Sequence, residues 1–251
     1  MRYKAILAYD GTAYHGFQRQ ANASPTVQGV LEEVLSSTSG QQVSVLAAGR
    51  TDAGVHATGQ VVAFDLNWRH LPSDLCNALN ANLPSDIAVY LVEIASPGFH
   101  PRFDALSRTY VYRLYVSRVR DPFKRWLAWH LSRPLDVEAI AEAARHLLGT
   151  HDFSAFGSPP QGDNPVRTVY RAQWEVTPDG GQHAFTITAD AFLYRMVRRI
   201  VGALVGVGRG QVSVKQFVQA AAVGVQIQGA MAAPAHGLTL TAVQYPDGLD
   251  Q

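Results

Sequence analysis

Hydrophobic positions change period several times along the chain, and each change marks an element. Residues 3–9 follow the strand period of two. Val27, Val30, Leu31, Val34 and Leu35 then recur at helical spacing, which predicts a helix with one buried face. Ser24 is its expected N-cap, with Pro25 at the first helical position, and Gly40 its expected stop. Strands are predicted at 42–48 and 60–66, with a polar, glycine-rich loop, 49–59, between them. Pro72-Ser73 begins a second helix with Leu75 and Leu79 inward, and 87–94 is a further strand. The order β-α-β-β-α-β is that of the split βαβ, or ferredoxin-like, unit.

The second half has a similar outline. Strands are predicted at 108–116 and 126–131. A helix follows at 136–148, with Val137, Ile140, Ala141, Ala144, Leu147 and Leu148 on one side and Gly149 closing it. Strands at 168–176 and 183–189 precede a helix near 194–206, and the last strand covers 238–244. Residues 150–166 are polar and rich in Gly and Pro, so a mobile surface loop is expected there. The fold class read from these patterns is α+β: two βαββαβ-type halves with mainly antiparallel sheets, an N-terminal domain over 1–104 and a C-terminal domain over 105–251. No residue-level repeat links the halves; their kinship rests on element order.

Composition alters this picture in one respect. The chain has 251 residues and a formal net charge of +1, which by itself argues for no nucleic-acid partner. The charge is unevenly placed, however. Residues 99–133 hold eight basic and two acidic side chains, and residues 191–215 hold five basic and none acidic. Of the 21 basic residues 18 are Arg, whose planar fork fits phosphate. Two basic segments on a near-neutral protein point to an anionic partner. A single cysteine, Cys76, excludes an internal disulfide and a multi-cysteine zinc site and suggests a reducing compartment. The N-terminal apolar run is too short for a signal peptide. Residues 216–246 carry no formal charge but contain five Gln, two Pro and a His, which makes a poor spanning helix. A soluble, cytoplasmic protein is expected.

Three segments could carry chemistry. In AAGRTDAGVHATGQ, 47–60, Asp52 is flanked by the small residues Ala53 and Gly54, with Arg50 two positions before it. An accessible carboxylate beside a guanidinium stays ionised at neutral pH; on spacing alone, an ordinary Asp-Gly turn is the stronger reading. Asp52 and His56 also stand at a spacing that a metal site or an acid–base pair permits, without a third ligand. In 99–116, Arg102, Arg108 and Arg113 interleave with Tyr110, Tyr112 and Tyr115. Strand alternation puts Tyr110 and Tyr112 on one face, either as a platform for an unpaired base or as core. In 191–210, Met196, Val197, Ile200, Val201, Leu204 and Val205 make a core stripe, and Arg195, Arg198 and Arg199 fall on another face. Basic residues near a helix start oppose its dipole, a mild cost better explained if they meet phosphate or a carboxylate. GVGRG follows a helix and does not open one, so no dinucleotide site is expected, and no Walker-type loop occurs.

Taken together, AGRTDAGVHATGQV (48–61), YDGTAYHGFQRQ (9–20), NANLPSDIAV (80–89), FHPRFDALSRTYVYRL (99–114), HDFSAF (151–156), FLYRMVRRIVG (192–202) and APAHGLTLTAVQY (233–245) resemble the tRNA pseudouridine synthase A family. The likeness spans nearly the whole chain in consistent order. One departure is Phe17, where that family usually carries Trp; this bears on packing more than on chemistry.

The resemblance implies an isomerase that converts uridine to pseudouridine in the anticodon arm of tRNA, at positions 38, 39 and 40. It implies no cofactor, no metal and no nucleotide. It also implies two ferredoxin-like halves around a basic cleft, and a homodimer that reads tRNA across both subunits. Asp52 matches the essential aspartate, as nucleophile or as base. Tyr110 matches the tyrosine that lies against the target base. Arg198 matches the arginine that pairs with the catalytic carboxylate, and Arg50 the arginine that helps displace the base from its stack. Two rivals from other classes are a non-catalytic RNA-binding protein of the same fold and a metal-dependent hydrolase using Asp52 and His56.

Overall fold

The computed structural model describes residues 1–20, 22, 25–159, 162–225, 227 and 231–246. Its elements run β1 (Arg2–Tyr9), α1 (Val27–Ser39), β2 (Val45–Ala47), β3 (His56–Asp65), α2 (Pro72–Asn82), β4 (Ile87–Ile94), β5 (Ser107–Val116), β6 (Trp129–Leu131), α3 (Val137–Arg145), β7 (Gly149–Asp152), β8 (Val166–Val176), β9 (Gln182–Ala189), α4 (Met196–Gly208), α5 (Val214–Val223) and β10 (Leu238–Gln244). The pairing is mostly antiparallel, with β3–β10 and β5–β6 parallel. No described helix is long and apolar enough to cross a membrane.

The chain forms two compact units, Met1–Leu106 with Thr239–Gln251, and Ser107–Leu238. The sequence reading draws its boundary at 104/105 and gives the whole C-terminal segment to the second domain. The difference is β10, whose Thr239 and Leu240 pair with His56 and Ala57 of β3. A strand read from its own hydrophobic pattern says nothing about which partner it will choose.

In the first unit β1 lies between β3 and β4, and β2 adds to the far edge of β3, giving the order β4-β1-β3-β2. Alternation divides the two sheet faces. Leu7, Val62 and Phe64 are buried, as are Leu31 and Leu35 of α1 and Leu75 and Leu79 of α2. Each fully buried leucine contributes about 1.5–3 kcal/mol relative to exposure. The opposite face packs Val61 and Ala63 with Ala48, Phe99 and Tyr245. Lys4 is buried there; its ammonium pairs with Glu93 at 3.0 Å and lies over the Phe99 and Tyr245 rings. The cap of α1 corrects the sequence reading: Thr26, not Ser24, accepts the Gly29 N–H, and Val27 begins the helix. Ser24 lies outside the described residues. Gly40 ends α1 in the left-handed conformation, as its position predicts.

In the second unit the strand order is β5-β9-β8-β7, with β6 beside the end of β5. The apolar stripe of α4 is core: Ile200, Val201 and Leu204 are fully buried. Ile140, Ala143, Ala144 and Leu147 are buried on and just beyond α3, whereas Leu148, expected inward, is exposed. Two features depart from the sequence reading. Residues 150–166 do not begin as a loop, because Thr150 and Thr168 join hydroxyls across β7 and β8 at 2.9 Å. Phe153 and Phe156 then enter the core, the latter 5.5 Å from the Phe217 ring. Phe217 belongs to α5, an unexpected helix opened by a reciprocal Ser213–Gln216 capping box.

A buried histidine is expected to make this unit acid-sensitive. The Trp174 indole N–H donates to His183 Nδ1 at 3.1 Å, and burial holds the His183 pKa below the ordinary histidine value. The unfolded chain takes up its proton near pH ~6.5, while the folded protein resists it. The stabilisation is therefore complete above that pH and declines as pH falls toward the folded value. Thermal unfolding is expected at a lower temperature at about pH 5.5 than at about pH 7.5. His183→Gln should shrink that difference; an unchanged difference would assign the acid sensitivity to other groups.

Candidate active site

Asp52 stands in the segment that joins β2 to β3, and the first unit holds that segment at several points. Gln60, fully buried in β3, donates from Nε2 to the Gly49 carbonyl at 2.8 Å. The Thr51 hydroxyl is buried against the Tyr9 hydroxyl at 2.8 Å. The Thr51 carbonyl accepts the Phe17 N–H at 3.1 Å, and the Gly54 N–H donates to the Tyr14 carbonyl at 3.3 Å. A turn closes from the Val55 N–H to the Asp52 carbonyl at 3.1 Å. Gly16 permits this approach: its φ is +91°, and a Cβ there would stand 2.8 Å from the Thr51 carbonyl oxygen.

Burial along this segment alternates in consequence. Thr51 is buried, Arg50 exposed and Asp52 half-buried. The two residues singled out from the sequence therefore flank the anchored one and are both less buried than it is. The turn expected at Asp52 is present, and the Asp52 backbone carbonyl closes it.

His56 meets Gly11 and Asp10. It is buried at the start of β3, where its Nδ1 lies 3.1 Å from the Gly11 N–H nitrogen and 3.1 Å from Asp10 Oδ1. Burial pushes the Asp10 carboxyl up, but the Thr12 hydroxyl and N–H, with His56, outweigh it and hold Asp10 below the usual carboxylate range. Among the described residues no group of three or more His, Cys, Asp or Glu side chains could hold a metal ion.

The second unit carries the other two residues. Tyr110 sits in β5 on the same face as Tyr112, as alternation predicts. Tyr112 is wholly buried, with its hydroxyl donating to the Pro234 carbonyl at 2.9 Å, so it is core. Tyr110 keeps 8% of its surface exposed and meets Phe192 edge-on at 5.1 Å between ring centres. Arg108, counted among the basic residues of this stretch, is buried, and its guanidinium donates to the Asp190 carbonyl at 2.7 Å. Arg198 lies in the first turn of α4. Its Nε donates to the Ala233 carbonyl at 2.8 Å, and its own carbonyl accepts the Ala233 N–H at 2.9 Å, which fixes the plane of the guanidinium. Arg195 precedes α4 in the left-handed conformation, φ 59°, with its guanidinium 4.9 Å from the Tyr194 ring centre.

The sequence reading passes over the anchoring residues Tyr9, Thr51 and Gln60. Thr51 and Gln60 stand inside the AGRTDAGVHATGQV block, but nothing along the chain says that they point toward Tyr9.

The chain's relatives place these residues in a wider setting. The family model described as tRNA pseudouridine synthase matches residues 5–104 and 143–246. A tRNA pseudouridine synthase A of Methylacidiphilum infernorum (isolate V4) is 45% identical over 97% of this chain and 95% of its own length. The protein of that name from Bacillus subtilis (strain 168) is 42% identical over 98% of this chain and 99% of its own. One from Thermotoga neapolitana is 42% identical over 94% and 96%. Among solved structures, the archaeal box H/ACA sRNP Nop10–Cbf5 complex matches 81% of this chain and 44% of that one, at 13% identity and a TM-score of 0.38, too distant to carry an argument. The chain belongs to the tRNA pseudouridine synthase family.

Proposed function

We propose that this protein isomerises uridine to pseudouridine at positions 38, 39 and 40 of the tRNA anticodon arm. The observation that carries this reading is identity of 40% or more to tRNA pseudouridine synthases A over nearly the whole chain, with the family model's match running through the Asp52 loop. The chemistry balances within the nucleotide. The C1′–N1 bond breaks, C1′ is rejoined to C5, C5 gives up its hydrogen and N1 gains one. Such an exchange needs no redox partner and no energy source.

In this reading Asp52 is the catalytic residue, as nucleophile toward the sugar or base toward its proton. Arg50, exposed beside it, helps bring the nucleotide out of its stack, at a cost of a few kcal/mol. Tyr110 offers an aromatic edge to the target base. Arg198 serves as cationic partner of the carboxylate, its plane already set by Ala233. We further propose two ferredoxin-like halves around a basic cleft, a homodimer, and a cytoplasmic location. The β4-β1-β3-β2 order of the first unit supports the fold reading for that half. The exposed Arg113, Arg118, Arg120 and Arg125 supply positive charge for an RNA partner.

The test is to incubate the protein with unmodified tRNA and chromatograph the nucleosides after digestion. Pseudouridine is expected with no added cofactor, at an undiminished rate in excess chelator. Loss of activity on chelation would sink the metal-free mechanism. Intact tRNA binding with no pseudouridine would favour a non-catalytic RNA binder.

A further inference from the structure

We infer that the buried hydrogen bond between Tyr9 and Thr51, backed by Gln60, is a positioning device for catalysis that aims Asp52 and Arg50 without touching substrate. The inference rests on the reading of Asp52 as the catalytic residue and adds residues to it that act only through the loop.

The geometry supports this at three points. Gln60 Nε2 donates both to the Gly49 carbonyl, at 2.8 Å, and to the Tyr9 hydroxyl, at 3.4 Å. The Tyr9 hydroxyl accepts from Gln60 and shares a second hydrogen bond with Thr51 Oγ1, 2.8 Å away, in which either hydroxyl can donate. A chain of three donors and acceptors therefore runs from the middle of β3, through the end of β1, into the loop, and pins the residues just before and just after Arg50. Arg50 and Asp52 flank the buried Thr51 and are both less buried than it is, so the bond that holds Thr51 sets the backbone from which both project. The arrangement is also dry: Gln60 is fully buried, Tyr9 nearly so, and Thr51 is 7% exposed. Water does not readily replace a lost partner at such a place, so removing one hydroxyl leaves the other buried and unsatisfied. Burial pushes the Tyr9 phenol up to about 12, against the opposing pull of Thr51 and Gln60, so it stays neutral through the physiological range.

What is at stake is the aim of Asp52 and of Arg50, which acts in extruding the nucleotide rather than in docking the tRNA, so the effect should fall on turnover. A misplacement of about 1 Å at a reacting group costs up to about 10²-fold. Tyr9→Phe and Thr51→Val each delete one hydroxyl with little change of shape; Thr51→Ser keeps the hydroxyl. All three, with wild type and Asp52→Asn, are assayed for kcat and KM on unmodified tRNA, for tRNA affinity and for Tm. We expect kcat to fall about 10- to 100-fold in Tyr9→Phe and Thr51→Val, with KM and affinity within about threefold. Thr51→Ser should return kcat to within about threefold of wild type. The double variant should be no slower than the worse single one, because both remove the same bond.

Near-wild-type kcat in folded Tyr9→Phe or Thr51→Val would overturn the proposal while leaving Asp52 in place. Parallel losses of kcat, affinity and Tm would also overturn it, by making the bond merely structural. An active Asp52→Asn would overturn the reading of Asp52, and the proposal with it. If Tyr9→Phe fails to fold, the contrast between Thr51→Val and Thr51→Ser decides.

Discussion

Asp52→Asn is expected to abolish pseudouridine formation, with a loss on the order of 10⁴-fold or more, as when a nucleophile or base is removed from a working constellation. Asparagine has nearly the same shape as aspartate but can neither attack C1′ as an anion nor take a proton. The anchors at Gly49, Thr51 and Gly54 and the turn bond of the Asp52 backbone carbonyl do not depend on the carboxylate and should survive the exchange. The variant should therefore fold normally and still bind tRNA. Circular dichroism, a tRNA binding isotherm and a product assay check the three parts separately. A variant with substantial activity would remove Asp52 from the mechanism.

The second large effect concerns salt. Of the basic residues in 99–133, Arg113, Arg118, Arg120, Arg125 and Arg133 are exposed, and in 191–215 so are Arg195, Arg209 and Lys215. A protein that neutralises about six phosphates loses about 10³-fold in affinity between about 50 and 200 mM salt, because each contact releases condensed counterions. Binding to unmodified tRNA should fall by that order across the range. Arg108 should not contribute, since its guanidinium is buried on the Asp190 carbonyl. Charge-removing substitutions at Arg118 and Arg120 should flatten the slope of log affinity against log salt, whereas a substitution at Arg108 should lower stability instead. A flat salt profile in the wild type would contradict an RNA surface built from these residues.

Most of the fold is legible in the sequence because its elements bury strongly periodic faces. Leu31 and Leu35, Leu75 and Leu79, and the Ile200–Leu204 stripe announce their helices, and the alternation in 108–116 announces β5. The elements that escape notice bury little. All four residues of β7 are exposed, so nothing in Gly149–Asp152 alternates. In α5 only Phe217 is buried, and the readable cue was its cap, Ser213 followed three residues later by Gln216. The candidate site divides the same way. Asp52 stands out only through the resemblance of its block to a family, since its local pattern fits an ordinary turn. The bonds that aim it join residues 42 and 51 positions apart, Thr51 and Gln60 to Tyr9, and no local period encodes such a pairing.

The central claim is that this chain forms a bond at C5 of uridine through Asp52. The measurement that reaches it most directly is release of hydrogen from C5 in unmodified tRNA labelled at that position, since rejoining the base through C5 expels the label. The account predicts release by the wild-type protein, at the uridines of positions 38, 39 and 40, and none by Asp52→Asn at equal tRNA occupancy. No release by the wild type with tRNA bound, or equal release by both proteins, would contradict it.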